Sequence, residues 1–209
     1  MCIRDRNLKK LNDLTNSNSM DCEIIHHNNS EHKEIIAAEN NQETFGNLSS
    51  LLKCFEIAKK EQSDLIYFVE DDYLHYDHSL VDMLDTYERI SSQHKDEIIV
   101  CPSDYPFNYM TNEKTNILIG SKQHWRIITK MLCTFMISKK MFQKHINNFE
   151  KTCEKRHDPF EKYLNEILQK EIAISPIKSL AIHLTNVNSS YGLSPFIDYK
   201  KLWDENKVK

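Results

Sequence analysis

Apolar positions along this chain follow a helical period in some stretches and form short continuous runs in others. Leu48–Gln62 and His78–His94 carry apolar residues at helical spacing. Further helices are predicted at Lys139–Phe149 and Asp158–Gln169. Short apolar runs predict strands at Cys22–His27, Asp64–Val69, Glu97–Cys101, Cys133–Ser138, Glu171–Ser175 and Ser179–Leu184, and a hairpin is predicted from Asn116–Gly120 and His124–Lys130. This alternation favours an α/β fold with a mostly parallel sheet flanked by helices.

Asp64–Val69 has the composition of a strand that is covered on both faces. Its apolar residues run without alternation, which is typical of a central strand in a parallel sheet.

Two polar residues stand where a helix should begin. Asn47 precedes the Leu48–Gln62 helix, and Asp158 precedes Pro159 at the head of another. We therefore expect Asn47 and Asp158 to occupy helix N-caps.

Composition narrows the class of protein. The chain has 209 residues, is 40% hydrophobic and has a formal net charge of −4, which suits one folded domain and gives no electrostatic case for nucleic acid. The six cysteines form no CxxC pair, so a cysteine zinc site is not expected. No apolar run approaches the ~20 residues that a membrane span needs. We therefore expect a cytoplasmic protein without a transmembrane segment.

The two ends of the chain differ from its middle. MCIRDR lacks any periodicity and resembles translated adapter read-through, although a short polar leader would look similar. We expect a non-native or disordered leader over residues 1–20, a single domain over residues 21–200, and a charged tail over residues 201–209.

Three acids follow the first buried strand directly. In SDLIYFVEDDYLHYDHSL the run Leu65–Val69 leads into Glu70, Asp71 and Asp72. Ligands of α/β proteins bind at the carboxyl ends of strands, where these acids stand. Adjacent carboxylates suit hard cations such as Mg²⁺ or Mn²⁺, and a cation there can bridge to a diphosphate. The alternative is a solvated acidic turn that ends the strand.

The surrounding stretch, FGNLSSLLKCFEIAKKEQSDLIYFVEDDYLHYDHSL, resembles the family 2-like glycosyltransferases of the GT-A fold. The resemblance implies a Rossmann-like sheet whose first strand is missing here. It places Glu70, Asp71 and Asp72 in the DxD slot that holds a divalent metal and the nucleotide-sugar. Asp72 would ligate manganese or magnesium, Asp71 or Glu70 would contact ribose or metal, and Asn47 would lie on the donor side.

The same resemblance implies roles for later residues. Trp125 and Arg126 would bind the acceptor, although Trp125 could equally pack in the core. Asp158 would be the catalytic base, with Glu161 in reserve, although Asp before Pro is also a common N-cap. His183 would complete the metal site, although a strand-end histidine bonded to backbone would look the same.

The resemblance implies a metal-dependent enzyme that moves a sugar from a nucleotide-diphosphate donor to a hydroxyl of a glycan or lipid-linked acceptor. Such a reaction belongs to polysaccharide or glycoconjugate synthesis. The enzyme would act in the cytoplasm or, through peripheral contact, at the inner face of the membrane. The missing first strand would leave the base pocket incomplete and could make this chain inactive. Two alternatives stay open, a metal-dependent phosphoester hydrolase and a non-catalytic sugar-binding module on the same scaffold.

Overall fold

A mixed β-sheet flanked by helices forms the centre of the molecule. The computed structural model describes residue 23 and residues 25–36, 42–110, 112–184 and 197–206. The helices are α1 Gln42–Lys60, α2 Ser79–His94, α3 Lys139–Lys144, α4 Ile146–Glu154, α5 Lys162–Ile167 and α6 Tyr199–Glu205, with 3₁₀ turns at Asn29–His32 and Pro106–Tyr109. The strands are β1 Leu65–Phe68, β2 Tyr73–His75, β3 Ile98–Val100, β4 Ile117–Ile119, β5 His124–Ile127, β6 Phe135–Ser138, β7 Ile172–Pro176 and β8 Ala181–His183. The predicted α/β class is confirmed.

Six strands form one sheet in the order β1-β6-β3-β7-β5-β4, and β2 and β8 form a separate two-stranded ribbon. Within the sheet only β3 and β7 pair in parallel, while the other four neighbouring pairs are antiparallel. The expected mostly parallel sheet is therefore wrong. Because β6 runs antiparallel to both β1 and β3, strands β1, β3 and β7 still point the same way, and their carboxyl ends lie at one edge of the sheet.

Strand β1 was expected to be central, but it is an outermost strand of the sheet that the described residues form. Its faces are nevertheless covered. Ile66 and Phe68 pack into one hydrophobic cluster, and Leu65 and Tyr67 pack against the other. A continuous apolar run reports that both faces are buried, and it carries no information about hydrogen-bonded neighbours at the strand's edges.

Helices cover both faces of the sheet. On one face α1, α3, α4 and α5 bring aromatic and aliphatic side chains such as Phe55, Phe142 and Phe149 against β6, and these three rings are almost completely buried. On the other face α2 packs Met83 and Ile90 against β3, β6 and β7. Both faces of the sheet are therefore packed, and the acids follow β1 at the end of the sheet where β3 and β7 also end.

Helix boundaries differ from the prediction at both expected caps. Helix α1 begins at Gln42, since Phe45 already packs against the core and extends the apolar face toward the N-terminus, so Asn47 lies inside the helix and is exposed. Helix α5 begins at Lys162 and its N-cap is Glu161, so Asp158 precedes the cap by a turn of chain. Both predicted N-caps are wrong.

Other predicted elements differ in detail. The predicted helix Lys139–Phe149 is two helices that meet at His145. The predicted hairpin is confirmed as β4 and β5. Residue 23 and residues 25–27 carry no strand, and the other two residues of the strand predicted at 22–27 lie outside the described residues, as does the leader 1–20. Residues 201–205, expected in a charged tail, belong to α6. Among the described residues no helix is both long and apolar enough to cross a bilayer.

Candidate functional site

The acids stand at the carboxyl end of β1, as the sequence predicted. Glu70 follows the strand, Asp71 and Asp72 form a turn, and the chain then enters β2. Asp71 is exposed, whereas Glu70 and Asp72 are half-buried. The amide of Glu70 donates to Thr134 Oγ1 at 3.0 Å, which ties the first acid to the amino end of β6.

Asp72 and His183 meet across the β2–β8 ribbon. His183 Nε2 lies 2.8 Å from Asp72 Oδ2, although the two residues are 111 positions apart. The ribbon's register pairs Tyr73 with His183, and the amide of Leu184 donates to the carbonyl of Asp72 at 2.9 Å. The sequence grouped Asp72 and His183 only by resemblance, and the fold brings their side chains together.

The His183 ring is held on two sides. It stacks on Tyr73, with ring centroids 4.7 Å apart and an interplanar angle of 11°. The Tyr73 hydroxyl in turn lies 2.7 Å from the Tyr105 hydroxyl. His183 Nδ1 is buried and has no hydrogen-bond partner within the described part of the chain. Stacking on Tyr73 and the hydrogen bond with Asp72 therefore set the orientation of the imidazole, and Nδ1 is the ring nitrogen without a hydrogen bond among the described residues.

Glu70 is the most strongly perturbed acid of this group. Its pKa is raised to about 7, mainly by burial and also by the negative charges of Asp72 and Glu161, while the charge of His183 and a hydrogen bond from Thr134 oppose the rise. Thr134 Oγ1 donates to Glu70 Oε2 at 3.3 Å. A carboxyl with a pKa near neutrality takes up and releases a proton close to pH 7, which is a common property of functional sites.

Glu161 belongs to the same group of charges. Burial raises its pKa, while a hydrogen bond to its own backbone and the charge of His183 lower it. Although Glu161 is the N-cap residue of α5, its side chain makes no capping hydrogen bond. Asp158, by contrast, is exposed, and no described hydrogen bond or ion pair joins it to Asp72 or His183. Glu161 directly precedes α5, is half-buried and interacts electrostatically with Glu70 and His183.

Three other predicted site residues lie apart from the acids. Asn47 is exposed within α1, so it has no capping role. Trp125 is fully buried in the core between the sheet and α2, so no face of its ring is open to an acceptor. Arg126 is mostly buried, and its Nη2 lies 2.6 Å from the Tyr109 hydroxyl and 3.4 Å from Asp104 Oδ1.

Arg126 is part of a compact charged cluster at the same sheet edge. Its guanidinium carbon lies 4.3 Å from the centre of the Tyr109 ring, and the Tyr109 hydroxyl donates to Asp104. The backbone amide of Asp104 donates a hydrogen bond to Ser179 Oγ at 2.9 Å, which ties the loop after β3 to the segment before β8. The positive charge of Arg126, which the resemblance implies for acceptor binding, is therefore already balanced by Asp104.

Sequence reasoning missed Thr134, Tyr73, Tyr105 and Asp104. Thr134 directly precedes the apolar run of β6, and antiparallel pairing of Phe68 with Phe135 places it beside Glu70. A sequence prediction that β1 pairs antiparallel with β6 would have identified Thr134 as a neighbour of Glu70. Tyr73 and Tyr105 carry no such local signal, because their contact depends on how the ribbon lies against the loop after β3.

The donor set at Asp72 and His183 fits a divalent cation. Carboxylate oxygen and neutral imidazole are ligands that Mn²⁺ accepts. Neighbouring ligands of an octahedral ion with bonds of about 2.1 Å lie about 3 Å apart, close to the 2.8 Å between these two atoms. In the described part of the chain no group of three or more His, Cys, Asp or Glu side chains forms a metal cage. Magnesium sites built from one or two protein ligands plus substrate phosphates and water need no such cage.

Neither a scan against protein-family models nor a search of curated proteins found a match to this sequence. The functional case therefore depends on the sequence resemblance together with the chemistry of the site.

Proposed function

We propose that this chain is a metal-dependent glycosyltransferase of the GT-A type, which transfers a sugar from a nucleotide-diphosphate donor to a hydroxyl acceptor. The observation that carries the proposal is the contact between Asp72 and His183 at the edge where β1, β3 and β7 end. The sequence resemblance implies a metal ligand at both positions, and the ribbon brings the two side chains within 2.8 Å of each other.

The donor side is built from the acids after β1. Asp72 and His183 would hold Mn²⁺ or Mg²⁺, and a bound ion of this kind neutralises charge on a diphosphate leaving group. Asp71 is exposed beside them and remains, with Glu70, a candidate for contact with ribose or metal. Stacking of His183 on Tyr73 keeps the imidazole in place before any ligand arrives.

Glu161 is the proposed general base, ahead of Asp158. A general base works best when its pKa lies near the working pH, and burial raises the pKa of Glu161. Its side chain makes no capping hydrogen bond to α5 and bonds instead to its own backbone. It would accept the proton of the acceptor hydroxyl as that oxygen attacks the anomeric carbon, while the nucleoside diphosphate departs with the bonding electrons.

The acceptor side rests on Arg126 and not on Trp125. Tyr109 is half-exposed, and its ring stacks on the guanidinium of Arg126, which is mostly buried and paired with Asp104. A glycan or lipid-linked acceptor would meet this pair, whereas Trp125 supports β5 from within the core.

Titration calorimetry with UDP and GDP, in Mn²⁺ and in EDTA, tests the proposal. We expect affinity for one of the two nucleotides in Mn²⁺, and loss of that affinity in EDTA, in Asp72→Asn and in His183→Ala. Asp85→Asn is the matched control, because Asp85 is an exposed aspartate of α2 whose Oδ2 lies 3.9 Å from Lys122 Nζ. Equal nucleotide affinity with and without chelator would contradict the metal bridge.

A further inference from the structure

A groove lies between the β2–β8 ribbon and helix α6. Its volume is about 600 Å³, within the ~300–1,000 Å³ of clefts that bind small molecules. The aliphatic side chains of Leu74, Ile182 and Leu184 line it from the ribbon. Tyr73 and His183 alternate with these residues along the same strands, so the groove is on the opposite face of the ribbon from the Asp72–His183 contact.

Helix α6 forms the other wall and is fixed in place. Leu202 is fully buried, Asn206 Nδ2 donates to the carbonyl of His75 at 3.1 Å, and Asp198 caps the helix by accepting from the amide of Lys201 at 3.0 Å. The groove is therefore bounded by two elements that hydrogen bonds and burial hold together.

Two aromatic rings of α6 line the groove and remain half-exposed. Tyr199 is 40% exposed and Trp203 is 50% exposed. Because they are four residues apart, they lie one above the other on a single face of the helix. Amphipathic rings that line a groove and keep an open face suit a ligand with alternating apolar and polar surfaces.

The charges in the groove balance each other. Lys200 and Asp204 also line it, again four residues apart, so a row of opposite charges runs beside the row of rings. A phosphate or a polyanion would call for an excess of positive charge, which this lining lacks. The combination of stacking faces, hydrogen-bonding groups and zero net charge favours a neutral carbohydrate.

We propose that this groove is a second carbohydrate site, which holds a neutral glycan strand by stacking sugar rings on Tyr199 and Trp203. The choice of a glycan rests on the proposed glycosyltransferase function, and the groove would bind a part of the acceptor that is remote from the reacting hydroxyl. Leu184 links the two sites, because it lines the groove and its amide donates to Asp72.

Tryptophan fluorescence gives a direct test. The chain has two tryptophans, and Trp125 is fully buried, so acrylamide quenching reports on Trp203. Maltopentaose, cellopentaose and chitopentaose are the probes, and binding of at least one should reduce the quenching constant about two-fold as one face of the half-exposed ring becomes covered. Tyr199→Ala and Lys200→Ala should weaken this protection, whereas Lys122→Ala, an exposed lysine far from the groove in sequence, should not.

The outcomes separate this proposal from the proposed function. Protection by a glycan that persists in Asp72→Asn and in EDTA supports the groove even if nucleotide binding fails. Absence of protection by all three probes overturns it. Slow quenching of Trp203 in the free wild-type protein overturns it as well, since the groove would then be filled by the chain itself. Protection by phosphatidylcholine–phosphatidylglycerol vesicles and not by glycans would assign the rings to a membrane surface instead.

Discussion

Two clusters in this molecule combine histidine, glutamate or aspartate, and a buried hydroxyl, and they differ in how their charge is balanced. We call the first the acid cluster, formed by Glu70, Asp72, Thr134, Glu161 and His183. We call the second the α1 cluster, formed by His27, Glu31, His32, Ser49, Lys53 and Glu56, which joins the 3₁₀ turn to helix α1. Both look like candidate active sites when only residue types are counted.

The α1 cluster is closed by its own hydrogen bonds except at His27 Nδ1, which has no hydrogen-bond partner among the described residues and lies 3.6 Å from Glu31 Oε2. Ser49 Oγ lies 2.7 Å from His27 Nε2 and 2.8 Å from His32 Nδ1, and His32 Nε2 lies 3.2 Å from Glu56 Oε1. Lys53 sits 3.2 Å from Glu31, and its hydrogen bond lowers the pKa of that carboxyl. The cluster therefore ties two segments together and has a cation of its own.

The acid cluster lacks that balance. Burial raises the pKa of Glu70 and Glu161, and the charges acting on Glu70 are two further acids and one histidine. Carboxyl groups with raised pKa values are stabilised in their charged form when a cation arrives. The comparison teaches that charge balance, rather than residue type, separates the candidate functional site from a structural polar network.

The largest expected effect is on turnover. Glu161→Gln in the acid cluster should reduce sugar transfer by about 100-fold or more, the scale of a lost general base, while nucleotide affinity stays unchanged. Asp158→Asn is the matched control and should retain turnover, because Asp158 is exposed. Steady-state kinetics on a nucleotide-sugar donor measure both. A collapse in Asp158→Asn with normal turnover in Glu161→Gln would restore the order of roles that the sequence suggested.

A second prediction concerns stability against pH in chelator. The pKa of Glu70 is raised from 4.5 to about 7, so between those values the folded protein binds a proton that the unfolded chain has lost. Stability therefore falls as pH rises through this window and levels off above it. At about 1.4 kcal/mol per pKa unit the cost approaches roughly 3 kcal/mol above pH 7. Glu70→Gln should remove the decline, as urea unfolding at pH 5 and pH 8 would show.

The corresponding substitution in the α1 cluster is Glu56→Gln. Glu56 is partly exposed and adjacent to Lys53, so its replacement should leave the pH dependence of stability close to that of the wild type. A similar change of slope in both variants would mean that the two clusters do not differ in charge balance.

A third prediction uses the hydroxyl of the α1 cluster. Ser49 is fully buried between two imidazoles, so Ser49→Ala should cost about 1–3 kcal/mol of unfolding free energy by leaving ring nitrogens unpaired. Nucleotide binding in Mn²⁺ should not change once the variant is folded. Loss of binding in the folded variant, seen by calorimetry, would place the α1 cluster in the functional site.

The smallest expected effect concerns the hydroxyl of the acid cluster. The hydrogen bond from Thr134 lowers the pKa of Glu70, so Thr134→Val should raise that pKa by up to about one unit, the worth of one hydrogen bond. The pH at which stability levels off should move upward by the same amount. An unchanged pH profile would show that Thr134 acts only through the Glu70 amide, to which its oxygen also bonds.

Much of the local structure could be predicted from the sequence. The runs at Glu97–Cys101 and Cys133–Ser138 form strands, the hairpin forms where glycine and polar residues separate two apolar runs, and the three acids end a strand. These outcomes depend on residues that are near each other in the chain. The hydrophobic period reports which faces of an element are buried, and that information is local.

The tertiary structure decided what the period does not encode. It inserted antiparallel β6 between β1 and β3, paired Tyr73 with His183, and buried Trp125 completely. It also left Asp158 exposed and put the half-buried Glu161 within electrostatic range of Glu70 and His183. Strand partners and pKa values depend on neighbours far along the chain and on exclusion of water. The sequence by itself therefore determined that acids would follow β1, and only the packed sheet and ribbon decided which side chains would stand beside them.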